Sequence, residues 1–173
     1  GVKAYERDGT LFDNKPEKNM LQEQLARTNI DEKVIVDMGG GLGSNYINYS
    51  GFFRDNNCIY YVVEQENFIK KGNEIAKEYN LNLNFRKDLS EIDENINIVI
   101  CSSFLQYIEN WKELVSEIID KKPENIIVDR HPLTNKESEI LVQLNTGYYK
   151  KKVTYPLHIV NEEEFTKEFK PYV

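Results

Sequence analysis

Positive charge, histidine and cysteine are all scarce in this chain, and each shortage narrows the range of functions. Lysine and arginine number 22 against 29 aspartates and glutamates, a formal net charge of −7. A protein that grips DNA or RNA by its phosphates usually carries the opposite balance, so nucleic acid is not an expected partner. The one dense basic run, Lys150-Lys151-Lys152, reads as solvated surface. The only two cysteines, Cys58 and Cys101, fall in or beside short apolar runs. Their spacing suits neither a metal site nor a disulfide framework, and they are expected as buried free thiols in neighbouring strands. No apolar stretch approaches the roughly 20 residues that span a bilayer. No leader pattern opens the chain, which makes the cytoplasm the expected location. Gly1 and Val173 read as cut edges rather than natural ends. Internal repeats and low-complexity tracts are absent.

What remains is the composition of an ordinary folded domain, 173 residues with 40% apolar and 29% charged side chains, enough for one substantial core. After an irregular polar start, residues 16–28 read as a helix with Pro16 near its beginning. Strands then alternate with helices. Lys33–Met38, Ile59–Val63, Leu83–Arg86, Ile96–Cys101 and Asn125–Asp129 are expected strands, none with clean polar alternation. Helices are expected around 45–53, after Asn67 as cap, and after Asn110, where Trp111, Leu114, Val115, Ile118 and Ile119 mark one face. That pattern predicts a parallel sheet covered on both faces, with right-handed crossovers. Beyond Asp129, Thr134-Asn135-Lys136-Glu137 matches a capping box and predicts a helix to about Leu144. Asn161 with Glu164 opens another, and the aromatic stretch 148–160 between them reads as extended.

The strongest chemical signal is Val34-Ile35-Val36-Asp37-Met38-Gly39-Gly40-Gly41-Leu42-Gly43, a buried strand running into four glycines within five residues. Glycine is required where the chain turns with positive φ and where a ligand presses on the backbone. The helix that follows, from Ser44, offers free N–H groups. A dinucleotide loop places glycines at first, third and sixth positions. From Gly39 the sixth position is Ser44, and from Gly41 it is Tyr46, so neither frame fits. Gly39, Gly41 and Gly43 behind an aspartate is instead the spacing seen in S-adenosylmethionine (SAM)-dependent methyltransferases.

Three further positions follow from the strand ends. Glu64, with Gln65 and Glu66 beside it, ends the second strand, where a carboxylate accepts from both hydroxyls of a ribose. Asp88-Leu89 follows the third strand, where an adenine ring would lie. Ser102-Ser103-Phe104-Leu105-Gln106-Tyr107 follows the fourth, in the region that lines the ligand crevice of such sheets. Phe104 and Leu105 read as core, and Tyr107 as a flank for the transferring methyl group.

Taken together, Tyr5-Glu6-Arg7-Asp8-Gly9, Asp37–Ser44, Val63-Glu64-Gln65, Ser102-Ser103 with Tyr107, Ile127–Arg130 and Thr154-Tyr155-Pro156 resemble a family of SAM-dependent methyltransferases from bacterial surface-polysaccharide gene clusters. The resemblance spans nearly the whole chain. It implies the class I methyltransferase fold, an α/β three-layer sandwich of Rossmann-like type with a mostly parallel sheet. It also implies SAM as methyl donor, S-adenosylhomocysteine (SAH) as product, and a small-molecule or glycan-precursor acceptor. Carried over by residue, Gly39, Gly41 and Gly43 would cradle the methionine portion, Glu64 would hold the ribose, Asp88 and Leu89 would sit at the adenine, and Ser102 near the sulfonium. Asp37, Gly40, Ser44, Gln65 and Ser103, beside these positions, are also expected at the cofactor. The chain departs from the family at His131, which follows Asp129-Arg130 where a smaller residue is expected. It also stops at about the point where the family's terminal hairpin would begin.

One domain is expected over residues 1–173: an N-terminal lid segment and helix over 1–30, a SAM-binding core over 31–130, and an acceptor-side region over 131–173. The two histidines are His131 and His158. His131, just past the fifth strand, is placed at the sheet edge where a catalytic base or an anion-binding group belongs, and with Arg130 beside it makes an electropositive pair suited to a phosphate-bearing or carboxylate acceptor. An acceptor already ionised needs no base. Tyr5, Arg7 and Asp8 would close over the site, and Tyr155 and His158 would line its acceptor side. O-methylation is favoured over N-methylation. Two other readings stay open: a SAM-binding subunit without chemistry, and a nicotinamide-dependent oxidoreductase, although the six-position glycine frame of the latter is missing.

Overall fold

The computed structural model describes residues 20–145, 152–170 and 172, with the backbone alone at 5–7, 10–12 and 145. A short hairpin, β1 (Tyr5–Arg7) and β2 (Thr10–Phe12), precedes helix α1 (Met20–Arg27). Then follow β3 (Val34–Met38), α2 (Ser44–Asn48), α3 (Ser50–Asp55), β4 (Ile59–Val63), α4 (Glu66–Glu78) and β5 (Leu83–Arg86). After these come β6 (Ile98–Ser102), α5 (Trp111–Asp120), β7 (Asn125–Asp129), β8 (Leu133–Thr134), β9 (Glu139–Asn145), β10 (Val153–Asn161) and α6 (Glu162–Glu168).

Five strands form one parallel sheet in the order β5-β4-β3-β6-β7. These are the five strands expected from the sequence. Successive residues of β3 and β4 serve opposite faces. Val34, Val36, Met38, Tyr61 and Val63 join Trp111, Val115 and Ile118 of α5 and Phe165 of α6. Ile35, Tyr60 and Val62 join Leu21 and Leu25 of α1, Tyr46 of α2, Phe53 of α3 and Ala76 of α4. Both sheet faces are therefore covered by helices, which is why the strands lack polar alternation. Burial of each such side chain contributes about 1.5–3 kcal/mol.

The chain starts at β3, steps outward to β4 and β5, then crosses back to β6 and β7. Its direction reverses between β3 and β6, and the loops leaving those two strands diverge there to open a crevice. The glycine cluster and the turn 102–107 are those two loops.

Several local expectations are corrected. The predicted helix over 134–144 is replaced by strand β9, paired antiparallel with β10 from Glu139↔Ile159 to Asn145↔Val153. An antiparallel hairpin is thus present ahead of the last helix, in a separate three-stranded sheet of order β8-β10-β9. Thr134 does accept a hydrogen bond from the Lys136 N–H at 3.2 Å, but that cap closes a turn with no helix behind it. Asn161, by contrast, caps α6 as expected, accepting from the N–H groups of Glu163 and Glu164. Helix α4 starts at Glu66, ahead of the cap assigned to Asn67, and Asn110 makes no side-chain capping bond. Cys101 lies in β6 and Cys58 just ahead of β4, with β3 between those strands, so the thiols are not in neighbouring strands. Both are buried and free, and burial raises both above the usual thiol range.

Candidate functional site

The glycine loop leaves β3 at the centre of the sheet, and its first N–H, from Gly39, donates to the Val63 carbonyl at the end of β4 at 2.9 Å. Gly39, Gly41 and Gly43 all have positive φ, of 66°, 58° and 87°. Two of them answer different needs. A β-carbon on Gly39 would stand 2.2 Å from the Phe104 ring, so the loop after β6 packs directly on this residue. A β-carbon on Gly41 would meet nothing within 4 Å among the described residues. Gly41 thus combines a left-handed backbone with open space above it, the condition under which a ligand can lie on the main chain.

Beneath the loop lies Asp37, only 1% exposed. Its Oδ2 accepts from Asn45 Nδ2 at 3.0 Å and from the Tyr60 hydroxyl at 2.9 Å, and sits 2.7 Å from where a Gly40 β-carbon would be. Burial raises its pKa to about 6, opposed by those two hydrogen bonds and by the positive charge of Arg130, and assisted by Glu64. Asn45 and Tyr60 were not among the residues singled out from the sequence. A polar side chain one turn into the helix after the loop, and a tyrosine hydroxyl inside an apolar strand, were the available signals.

Glu64 follows β4 directly, without the register slip that would have brought in Glu66. Its Oε1 accepts from the Gly41 N–H at 3.3 Å, and its Oε2 from the Gln65 N–H at 2.7 Å. The carboxylate therefore stands against the open glycine. Gln65 is the exposed N-cap position of α4. Asp88, past β5, is exposed and accepts from the Ser90 N–H at 2.8 Å through Oδ1, which holds its carboxyl below the usual range. Leu89 is 4% exposed and packs into the core, so only its backbone is placed for a ligand. Ser44 is the first residue of α2, directly behind the loop.

At the ends of β6 and β7 a polar cluster forms. Ser102 Oγ donates to Asp129 Oδ2 at 2.9 Å and accepts from Arg130 Nη2 at 2.7 Å, while Arg130 Nε lies 3.2 Å from Asp129 Oδ2. Arg130 thus pairs with the neighbouring aspartate. Ser103 and Arg130 both have left-handed backbones, at φ of 54° and 56°. For a non-glycine residue this costs about 1–2 kcal/mol. Gln106, 3% exposed, holds the two together: its Nε2 donates to Ser103 Oγ at 2.9 Å and to the Arg130 carbonyl at 3.3 Å. Gln106 was missed from the sequence because a single amide in an apolar turn has no distinguishing spacing.

Tyr107 and Tyr155 are brought together edge to face with centroids 5.3 Å apart, and the Tyr107 hydroxyl donates to Gln143 Oε1 at 3.3 Å. Hairpin β9–β10 is thereby tied to the turn after β6. His131 stacks on Phe165 of α6 at 4.5 Å. Both of its ring nitrogens are buried and without a hydrogen-bond partner among the described residues. Burial, then the nearby charge of His158, lowers His131 to about 4, so it is neutral at physiological pH. His158 lies opposite Ile140 in the hairpin and lines a cleft of about 270 Å³ with Trp111 and Glu164. The backbone of β1, which contains Tyr5 and Arg7, lies against α2; Asp8 is outside the described residues. Among the described residues no cluster of metal-ligating side chains occurs, and no helix is long and apolar enough to cross a membrane.

No protein-family model matches the sequence, and no curated protein matches it. Solved structures share its fold. The N-terminal domain of EvdMO1, crystallised with SAH and D-fucose, matches with a TM-score of 0.61 over 98% of this chain and 79% of that one, at 10% identity. A SAM-dependent methyltransferase from Clostridium acetobutylicum ATCC 824 gives a TM-score of 0.62 over 87% of this chain and 76% of that one, at 12% identity. The glycopeptide N-methyltransferase MtfA, crystallised with SAM, gives 0.60 over 91% and 78%, at 10% identity. The fold of this chain is that of the class I SAM-dependent methyltransferases.

Proposed function

We propose that this chain is a methyltransferase that moves the methyl group of SAM to a small-molecule acceptor bearing an anionic group, phosphorylated or sugar-linked. The observation on which this reading chiefly rests is the pairing of Glu64 with Gly41: a ribose-binding carboxylate against a glycine whose outer side is open. The charges at the loop favour SAM over a dinucleotide. Asp37 and Glu64 flank it, and Gly39–Ser44 contains no lysine or arginine. SAM presents a sulfonium and an ammonium, whereas a dinucleotide presents a pyrophosphate that two carboxylates would repel.

In this reading Gly39–Gly43 receive the amino-acid portion of SAM, Glu64 and Gln65 the ribose, Asp88 the adenine amine, and Ser102 and Ser103 the neighbourhood of the sulfur. Bound SAM supplies an activated methyl carbon, which the acceptor's lone pair attacks in line while the carbon–sulfur bond breaks toward sulfur and SAH leaves. The protein's task is alignment. Arg130, braced on Ser102 and Asp129, binds the acceptor's anionic group, and Tyr107 and Tyr155 wall the acceptor side. His131 is a weak base where it lies, so an acceptor ionised in solution fits this site best. That favours oxygen of a phosphate or carboxylate-bearing compound over an amine. Tyr5 and Arg7 belong to the segment that would close over the site, since the backbone of β1 lies against α2 behind the glycine loop; Asp8 lies outside the described residues. The crystallisation of the EvdMO1 domain in the presence of D-fucose and the similarity to a glycopeptide methyltransferase support a sugar-linked acceptor, in keeping with polysaccharide assembly in the cytoplasm.

The test is methyl transfer from radiolabelled SAM to a panel of sugar phosphates, nucleotide sugars and unphosphorylated sugars. Label in the phosphorylated members alone is expected. Label confined to the unphosphorylated sugars would overturn the acceptor assignment.

A further inference from the structure

Strand β9 is the outer strand of its three-stranded sheet, and among the described residues no strand pairs with its free edge. It is also unusually apolar for an exposed edge. Ile140, Val142 and Leu144, on one face by strand alternation, are 65%, 76% and 51% exposed. Isolated edge strands are ordinarily blunted by lysine, proline or a bulge. From Ile140 to Leu144 this strand has neither a charge nor a proline.

The backbone of that edge is aimed outward at the same residues. Val142 lies opposite Pro156 of β10. A proline sits in a ladder where its missing N–H is not called upon. Val142–Pro156 is therefore the non-hydrogen-bonded kind of pair, and the N–H and C=O of Val142 point away from β10. By alternation Ile140 and Leu144 do the same. Three residues thus offer both backbone groups and an exposed apolar side chain along one edge.

We propose that a second copy of this chain docks here, β9 against β9, antiparallel about Val142, joining the two three-stranded sheets into one across a two-fold axis. In this register Ile140 faces Leu144 of the second copy, Val142 faces its counterpart, and each pair exchanges two hydrogen bonds. Charge selects the same arrangement. Two copies each of net charge −7 repel over most approaches, and β9 from Ile140 to Leu144 is neutral. Glu139 opens the strand, and exposed Lys152 directly precedes β10, whose Val153 lies opposite Asn145 at the far end of β9. Antiparallel pairing brings Glu139 of one copy toward the end of the other that carries Lys152; parallel pairing would set the two Glu139 side by side. The inner face of β9 holds Gln143 against Tyr107, so the docked edge would steady the strand that borders the acceptor side. The inference does not depend on methyl transfer.

Sedimentation equilibrium of the whole chain tests it. The wild type is expected to be a dimer. Val142→Lys and Leu144→Lys, both at exposed positions, are each expected to raise the dimer dissociation constant about tenfold or more while the far-ultraviolet circular dichroism stays that of the wild type. A wild-type chain that is monomeric up to about 0.1 mM would overturn the proposal. So would a dimer whose dissociation constant neither folded variant changes.

Discussion

Glu64 accepts a hydrogen bond from the backbone N–H of Gly41, joining the end of one strand to the loop leaving its neighbour at 3.3 Å. The bond is long for a charge-assisted pair and leaves lone pairs on the carboxylate, so a ribose can enter without displacing a strong contact. Gly41→Ala would place a side chain in that space and strain a backbone at φ of 58°. SAM affinity is expected to fall in this variant, as read by calorimetry. Unchanged affinity would count against the loop as the binding surface.

Arg130 provides a test that separates chemistry from folding. Because its φ is 56°, Arg130→Gly removes the guanidinium while keeping a backbone that glycine adopts freely. Stability is expected to change by no more than about 1 kcal/mol, since relief of strain offsets the lost bonds to Ser102 and Asp129. The acceptor KM is expected to rise about tenfold or more with SAM affinity unchanged. A variant that loses stability and keeps its kinetics would make Arg130 structural only.

Asp37 should leave its mark on stability against pH. Its folded pKa of about 6 lies above the ordinary aspartate value of 3.8, so the folded state binds the proton more tightly. The stability this contributes is present below about pH 4 and is lost as pH rises to 6, an effect of order 3 kcal/mol. Asp37→Asn is expected to lack that decline in urea unfolding measured from pH 4 to 7. Parallel curves for the two proteins would contradict the assignment.

His131 runs the other way. Its folded pKa, about 4, is below the ordinary histidine value of 6.5, so its contribution is present above pH 6.5 and is lost as pH falls toward 4. The two slopes oppose each other in the wild type and separate only in single variants. His131→Phe, which keeps the stacking on Phe165, is expected to resist acid better than the wild type in the same unfolding measurement. In a methyl-transfer pH profile His131 should produce no inflection near 6.5, and one that vanished in His131→Phe would restore it as a base.

The five parallel strands were legible because each buried run is short, nearly continuous and bounded by turn residues, and the glycine spacing at 39, 41 and 43 located the site among them. The hairpin was not legible. Thr134-Asn135-Lys136-Glu137 offers a helix cap, and local chemistry does not reveal that the following Ile-Leu-Val run is claimed by pairing with residues 153–159. Tertiary pairing overrode a local signal, as it often does for short apolar runs. The site divides in the same way. Glu64, Asp88 and Ser102 were singled out as candidates because strand ends are predictable positions. Asn45, Tyr60 and Gln106 act by supporting other groups through contacts distant in sequence, which no spacing announces.

Calorimetric titration of the whole chain with SAH, repeated on Glu64→Ala and with NAD as the competing ligand, tests the central claim most directly. The account predicts one SAH site per chain, an affinity roughly tenfold or more weaker in Glu64→Ala because charge-assisted bonds of about 1.5–3 kcal/mol each are lost, and no heat from NAD. Binding of NAD in place of SAH, or equal SAH affinity in both proteins, would contradict it.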